Sequence, residues 1–260
     1  MPNPIVTIQN LYVGLKNDKD KQILKNVNIT VEAESITAFV GGSGSGKTTT
    51  AMSILKLLSP ALEVVSGQIL YKGYNLSSFS DSKMREIRGK EIGVVFQEPL
   101  SAFNPLFTLG AQVDEVLRFH TNLDPHRRQQ RILELFDLVG LPHPERVYAS
   151  YPHQLSGGMR QRVMIAQAIA ADPQLIIADE PTSSLDVTLQ AKIIQLFKEL
   201  RQKLKLSIII ISHDLGLVEH LSDSVVVMKQ GRVVESGKTK DVIQNPQDEY
   251  TKQLLNAVKV

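Results

Sequence analysis

The chain has 260 residues, 42% of them hydrophobic, which is enough for one large domain with a sizeable core. Its 29 basic and 27 acidic residues nearly cancel to a net charge of +2, so charge implies no polyelectrolyte partner and argues against nucleic acid. With no cysteine it can form neither disulfides nor thiolate metal sites nor cysteine-ligated iron–sulfur clusters, a composition that fits a reducing compartment. Met1 to Pro4 shows no basic stretch leading into an apolar one, so no secretory leader is expected. The longest apolar runs, such as Ile208 to Ile211, are strand-sized and far short of the roughly 20 residues a membrane helix needs. Any membrane role is therefore expected to run through a partner.

Taken in order, Ile5 to Ile8 and the alternating Val27, Ile29 and Val31 read as antiparallel strands, with Lys16 to Lys21 as a charged loop between them. Ser35 to Val40 is short, apolar and β-branched, the pattern of a buried strand. It runs into Gly41-Gly42-Ser43-Gly44-Ser45-Gly46-Lys47-Thr48, and Thr49 to Leu58 then reads as a helix with Met52, Ile54, Leu55 and Leu58 on one face. Strand, glycine-rich loop and helix in that order give the phosphate-loop pattern its meaning. Glycines let successive N–H groups curl around an anion, and the helix N-terminus adds partial positive charge. Lys47 is placed to neutralise β- and γ-phosphates and the Thr48 hydroxyl to ligate Mg²⁺, with Gly41 through Thr49 as the nucleotide-binding set.

Ser66 to Gly73 reads as another short strand, Asp81 to Arg88 as a polar helix, and Glu91 to Phe96 as a buried strand that ends on Gln97 before a break at Glu98-Pro99. Taken alone, Gln97 is a loop residue. From Pro99 to about Ser150 the period becomes helical, with Val113, Val116, Leu117, Ile132, Leu133, Leu135, Phe136 and Leu138 at helix spacing. The basic run His126-Arg127-Arg128 with Arg131 has no interleaved aromatics and reads as a solvated helix face. Leu155-Ser156-Gly157-Gly158-Met159 precedes an Ala-rich helix from Arg160 to Ala171. Ser156 and the two glycines can serve as a helix cap or as a second anion site.

Leu175 to Ala178 is a core strand that ends in Asp179 and Glu180, where open α/β sheets bind ligands. One such carboxylate can hold Mg²⁺ and its neighbour can polarise an attacking water; two solvated carboxylates are the plain alternative. Ala191 to Lys205 is an amphipathic helix, Ile208 to Ile211 a strand that ends at Ser212-His213-Asp214, and Val225 to Met228 with Arg232 to Glu235 a hairpin through Gln230-Gly231. If the strands are parallel, His213 shares an edge with Asp179 and Glu180.

The phosphate loop, Gln97, Leu155 to Met159, Leu175 to Glu180, Ser183-Ser184-Leu185-Asp186 and His213 occur in the order and at about the spacing of the ATP-binding cassette ATPases. The resemblance covers essentially the whole chain, and the Ser-Gly-Gly signature is its most discriminating piece. It implies an α/β fold: a P-loop NTPase core with a mainly parallel sheet, an N-terminal antiparallel β subdomain, and a helical signature subdomain at about residues 99–160 within one domain spanning 1–260. It further implies a head-to-tail dimer with ATP between one subunit's phosphate loop and the other's signature helix, which makes Ser156, Gly157 and Gly158 a γ-phosphate site in trans. Carried over by position, Asp179 holds Mg²⁺ through water, Glu180 is the general base and His213 contacts the γ-phosphate. Gln97 senses Mg²⁺ and the attacking water, and Asp186 lies in the loop that crosses the dimer interface.

Ser101-Ala-Phe-Asn-Pro-Leu106, Tyr151-Pro-His-Gln154, Met159 to Ala166, Asn245-Pro246 and Tyr250-Thr251 resemble the peptide and nickel importer ATPases. That implies an ATP-hydrolysing subunit at the cytoplasmic face of the cell membrane. Its implied partners are permease subunits docking near Pro99 to Leu109, a second ATPase or a copy of itself, and an extracytoplasmic solute-binding protein. A soluble cassette ATPase without a permease is the alternative. Three departures stand out. Many peptide-importer relatives carry a cysteine-rich C-terminal extension, whereas this sequence has no cysteine and stops soon after Tyr250, which leans the expectation toward the shorter nickel-type or related subunits. The aromatic that commonly stacks on adenine is expected near Leu15, whereas Tyr12 lies three positions earlier and is not assigned. Asp248-Glu249 replaces the usual His-Pro before Tyr-Thr.

Overall fold

A computed structural model describes the backbone of residues 4–258; the reading of the first three residues as lacking a leader lies outside them. In chain order the elements are β1 (Pro4–Leu15), β2 (Asp18–Glu32), β3 (Ile36–Val40), α1 (Lys47–Ile54), β4 (Leu62–Tyr71), β5 (Tyr74–Asn75), α2 (Asp81–Ile87) and β6 (Ile92–Val95). There follow α3 (Pro99–Ala102), α4 (Leu109–His120), α5 (Pro125–Leu138), α6 (Pro144–Ala149), α7 (Gly157–Ile169), β7 (Leu175–Asp179) and α8 (Val187–Leu204). The last are β8 (Ser207–Ser212), α9 (Leu215–Leu221), β9 (Ser224–Lys229), β10 (Arg232–Lys238), α10 (Thr239–Gln244) and α11 (Glu249–Val258). The chain divides into two compact units, one of the residues up to Met84 with those from Arg201 on, the other Arg85–Leu200. Among the described residues no helix is long and apolar enough to cross a membrane.

The first unit holds an antiparallel sheet in the order β2-β1-β4-β5. The expected charged loop at 16–21 is instead a tight turn, because the ladder continues through polar residues to Leu15 opposite Asp18 and Gly14 opposite Gln22. Pairing of the backbone, not side-chain hydropathy, carries those last rungs. The same unit holds β3 parallel to both β8 and β9, and β10 antiparallel to β9. All of β3 and β8 is buried, which is why both read as continuous apolar runs. The β9–β10 hairpin turns through Gln230 and Gly231, both at positive φ (49° and 79°), the conformation a two-residue hairpin needs. Helix α1 begins two residues before the expected start and ends at Ile54, four before the expected end, where Lys56 enters the left-handed region at φ 52°.

In the second unit β6 and β7 pair in parallel, Val95 opposite Ala178. Helix α7 packs on β6 so closely that a Cβ at Gly93 would lie 2.1 Å from the Ala168 carbonyl oxygen. The α4–α5 pair is fastened by Arg128, whose Nε lies 2.6 Å from Asp114 Oδ1 and whose side chain is only 13% exposed. Arg131 reaches Asp172 at 2.7 Å. The basic run is therefore only partly a solvated face: His126 and Arg127 are exposed, while Arg128 joins two helices. Because the Gly93 approach leaves no room for a methyl group, Gly93→Ala should destabilise the protein by about 1–3 kcal/mol, read as a lower midpoint in urea unfolding.

Candidate active site

Loop 41–48 leaves β3 at Val40, which pairs with Ser212 at the end of β8, so the loop and His213 emerge side by side from one edge of a parallel sheet. The loop's shape follows from two glycines that nothing else could replace. Gly41 sits at φ 146° and a Cβ there would lie 2.2 Å from the Met228 carbonyl oxygen; Gly46, at φ 105°, would bring one within 2.6 Å of Leu24 Cδ2. Gly44, at φ 72°, has nothing within 4 Å and is exposed together with Ser43 and Thr48. Ser45 is buried, its N–H bonded to the Gly42 carbonyl at 3.2 Å and its own carbonyl accepting from Gly231 N–H at 2.9 Å.

Lys47 opens α1 and its side chain folds back beneath the loop, where Nζ donates to the carbonyls of Gly41 (2.8 Å) and Gly42 (3.0 Å). The ammonium is buried inside the curl of the backbone, with Gly46 in the left-handed conformation as the helix cap. Thr48 presents an exposed hydroxyl-bearing side chain on the first turn; Thr49 is half-buried and its carbonyl accepts from Ser53 Oγ at 2.7 Å. A nest of backbone amides, a helix N-terminus and a central ammonium are complementary to a chain of phosphates. Just past the end of β8, His213 is exposed and is followed by Asp214, which caps α9 by accepting from Leu217 N–H at 3.1 Å.

The second unit carries its own set. Gln97 and Glu180 each lie two residues beyond the Val95–Ala178 pair, at the same edge of the parallel ladder, and Gln97 Nε2 donates to Glu180 Oε2 at 3.3 Å. Asp179 is buried at the end of β7. Glu180 stands at φ 43°, left-handed for a residue with a long side chain, and its carbonyl is held by the N–H of Ser183 at 3.2 Å and the Ser183 hydroxyl at 3.1 Å. Such strain is kept where surrounding bonds over-determine it, as the two bonds to the Glu180 carbonyl do here.

Ser156 caps α7, its Oγ accepting from Met159 N–H at 3.4 Å, while Arg160 donates to the Leu155 carbonyl at 2.6 Å. The cap is thus formed, and the exposed Ser156 side chain leaves the anion-site reading intact beside it. The signature glycines pack on the turn before α8 and on the first turn of α8: a Cβ at Gly158 would lie 3.2 Å from Leu189 Cδ1, and one at Gly157 3.8 Å from Leu185 Cδ2. Asp186 caps α8 by accepting from Leu189 N–H at 2.9 Å. The signature and the loop after Glu180 are therefore one packed surface, a contact that motif spacing alone does not reveal.

The general family model for the ABC transporter matches residues 24–183. Dipeptide transport ATP-binding protein DppD of Bacillus subtilis is 43% identical over 256 residues, 98% of this chain and 76% of that protein. The chain belongs to the ABC transporter family. A putative peptide import ATP-binding protein of Brucella abortus is equally similar, 43% over 98% of this chain and 77% of its own. Among solved structures, a dimeric ATP-binding cassette in a post-hydrolysis state with ADP and Pi aligns at TM-score 0.79 and 29% identity, covering 90% of this chain and 98% of that one. A subunit of an ABC transporter complex from Clostridium perfringens aligns at TM-score 0.81 and 28% identity, over 94% and 92%. The fold is that of this ABC ATPase family, and the chain is an ATP-hydrolysing enzyme of it.

Tyr250 is the residue whose contribution motif reading missed: its hydroxyl accepts from Gly42 N–H at 2.8 Å. The available signal was the Tyr-Thr pair in the family's C-terminal pattern, which carries no chemistry of its own. Tyr12 lies within β1 opposite Ser66, three residues short of the position expected for an adenine-stacking ring. The contrast between the two exposed-to-crowded glycines is testable. Gly41→Ala should lower stability by about 3 kcal/mol or more because β9 has to move, whereas Gly44→Ala should cost only the left-handed penalty of about 1–2 kcal/mol; thermal unfolding of both variants distinguishes them.

Proposed function

We propose that this ABC ATPase powers the import of peptides and that the residues described above hold and cleave its ATP. Peptide import is supported by the dipeptide, oligopeptide and putative peptide import proteins that match at 42–43% identity over 92–98% of this chain. Nickel, toward which the absence of cysteine leans the sequence reading, has no such support among those relatives. The single observation that carries the chemistry is the Glu180 carboxylate, fixed by Gln97 and by a strained, bonded backbone at the end of β7.

In this reading Gly41 through Thr49 cradle the phosphates and Lys47 balances the β- and γ-phosphate charge. Thr48 and Asp179 each offer an oxygen donor of the kind Mg²⁺ takes together with phosphate oxygens and water, and would hold the ion as the family resemblance implies. When bound, Mg²⁺ would supply charge neutralisation at the transferred phosphoryl group. Glu180 accepts the proton of the water that attacks the γ-phosphorus while the bond to the ADP oxygen breaks, giving ADP and phosphate. Gln97 holds the Glu180 carboxylate and orients the water, and His213 donates to the γ-phosphate. Ser156, Gly157 and Gly158 of a second cassette, a copy or a related subunit, complete the site, so ATP binding draws the cassettes together and hydrolysis releases them.

Coupling to a permease is supported by the segment after Gln97, where Leu100, Leu106 and Phe107 are 53%, 80% and 56% exposed, with Phe96 just before it at 44%. Apolar side chains clustered on one exposed segment mark a partner surface. The permease would dock there, at Pro99 to Leu109, on the cytoplasmic side of a membrane, with a solute-binding protein on the other side.

Glu180→Gln should bind ATP with parent affinity and lose turnover by about 10²–10⁴-fold, the worth of a general base; phosphate release at the parent rate would overturn the assignment. Leu106→Asp should leave ATP hydrolysis by the isolated subunit intact and abolish its recovery with permeases from detergent-solubilised membranes. Undiminished recovery would move the docking surface elsewhere.

A further inference from the structure

The phosphate loop receives a contact that the mechanism above does not use. Tyr250, in the first turn of α11, sets its hydroxyl 2.8 Å from the Gly42 N–H, and a Cβ at Gly42 would meet that same oxygen at 3.2 Å. A nest works by aiming successive amides at one anion. An amide tied to a fixed acceptor sets the plane of the Gly41–Gly42 peptide, and through it the direction of the amides that follow.

Tyr250 is itself fixed from several directions. Its own N–H donates to Asp248 Oδ1 at 2.8 Å, which starts the helix. The two oxygens of Glu235, on β10, accept from the backbone N–H groups of Gln247 (2.8 Å) and Asp248 (3.1 Å). The Lys229 ammonium lies 4.6 Å from the ring centroid, within cation–π range. Lys229 is next to Met228, whose carbonyl closes against Gly41 from the other side. The first two residues of the loop are therefore held between β9 and α11. Asp248 is the residue whose carboxylate begins α11.

We propose that Tyr250 is a positioning residue of the nucleotide site, holding the Gly42 amide so that loop 41–48 keeps the curvature that binds phosphate. The inference rests on reading that loop as the phosphate site. Tyr250→Phe in the full chain keeps the ring and its packing and removes only the hydroxyl. Amide-hydrogen exchange at Gly42 should accelerate, and KM for ATP should rise about three- to tenfold, the size of one net hydrogen bond. Over the same series kcat should stay within about twofold and the thermal midpoint should hold, because only binding has changed. Asp248→Ala, which loosens the start of α11 and leaves the tyrosine whole, should raise KM in the same direction by less. Unchanged KM with unchanged exchange at Gly42 overturns the inference. So does a fall in kcat and midpoint at constant KM, the mark of a purely structural residue. The parent's own ATP affinity is measured alongside: its absence would fail the phosphate-site reading, while exchange at Gly42 still decides the tyrosine's contact.

Discussion

The loop's form depends on the approach of the Met228 carbonyl to Gly41. That carbonyl occupies the space any side chain would need, and it forces the backbone to leave β3 in a conformation open only to glycine. Once the chain has turned, the remaining bonds are local: Ser45 N–H to Gly42, Thr50 N–H to Gly46, and the Lys47 ammonium closing on two carbonyls from within. A buried ammonium is tolerable because it is bonded, and those bonds hold the curve of the backbone.

The second unit obtains its rigidity differently. Parallel pairing of β6 and β7 brings Gln97 and Glu180 to the same level, and the left-handed turn at Glu180 redirects the chain through a short turn into α8. Leu185 of that turn and Leu189 of α8 then pack on the signature glycines. A side chain on Gly158 would push on Leu189 and through it on the segment that follows the proposed base, so a small residue is needed there for packing.

Much of this was legible in the sequence because the decisive features are local. Buried parallel strands read as continuous apolar runs, and Gly-Lys-Thr after such a strand carries its own mechanism. What was not legible depended on residues far apart in the chain. Lys16 to Lys21 reads as a loop because its polarity is visible and its cross-strand partners are not. Arg128 reads as solvated because Asp114 is on another helix. Asp248 has no evident purpose until the helix it starts is seen to carry Tyr250 to Gly42.

The phosphate loop is contacted by Leu24 from the N-terminal sheet, by Met228 and Gly231 from the last hairpin, and by Tyr250 from the last helix. The tie between Tyr250 and Gly42 spans 208 positions. Contacts of such separation form late, since the intervening chain must be ordered first. During synthesis the glycine-rich segment therefore emerges long before Met228, Gly231 and Tyr250, and a ribosome-bound chain ending before Met228 has the motif without these three supports. The order of translation thus keeps an incomplete cassette from holding its loop in finished form.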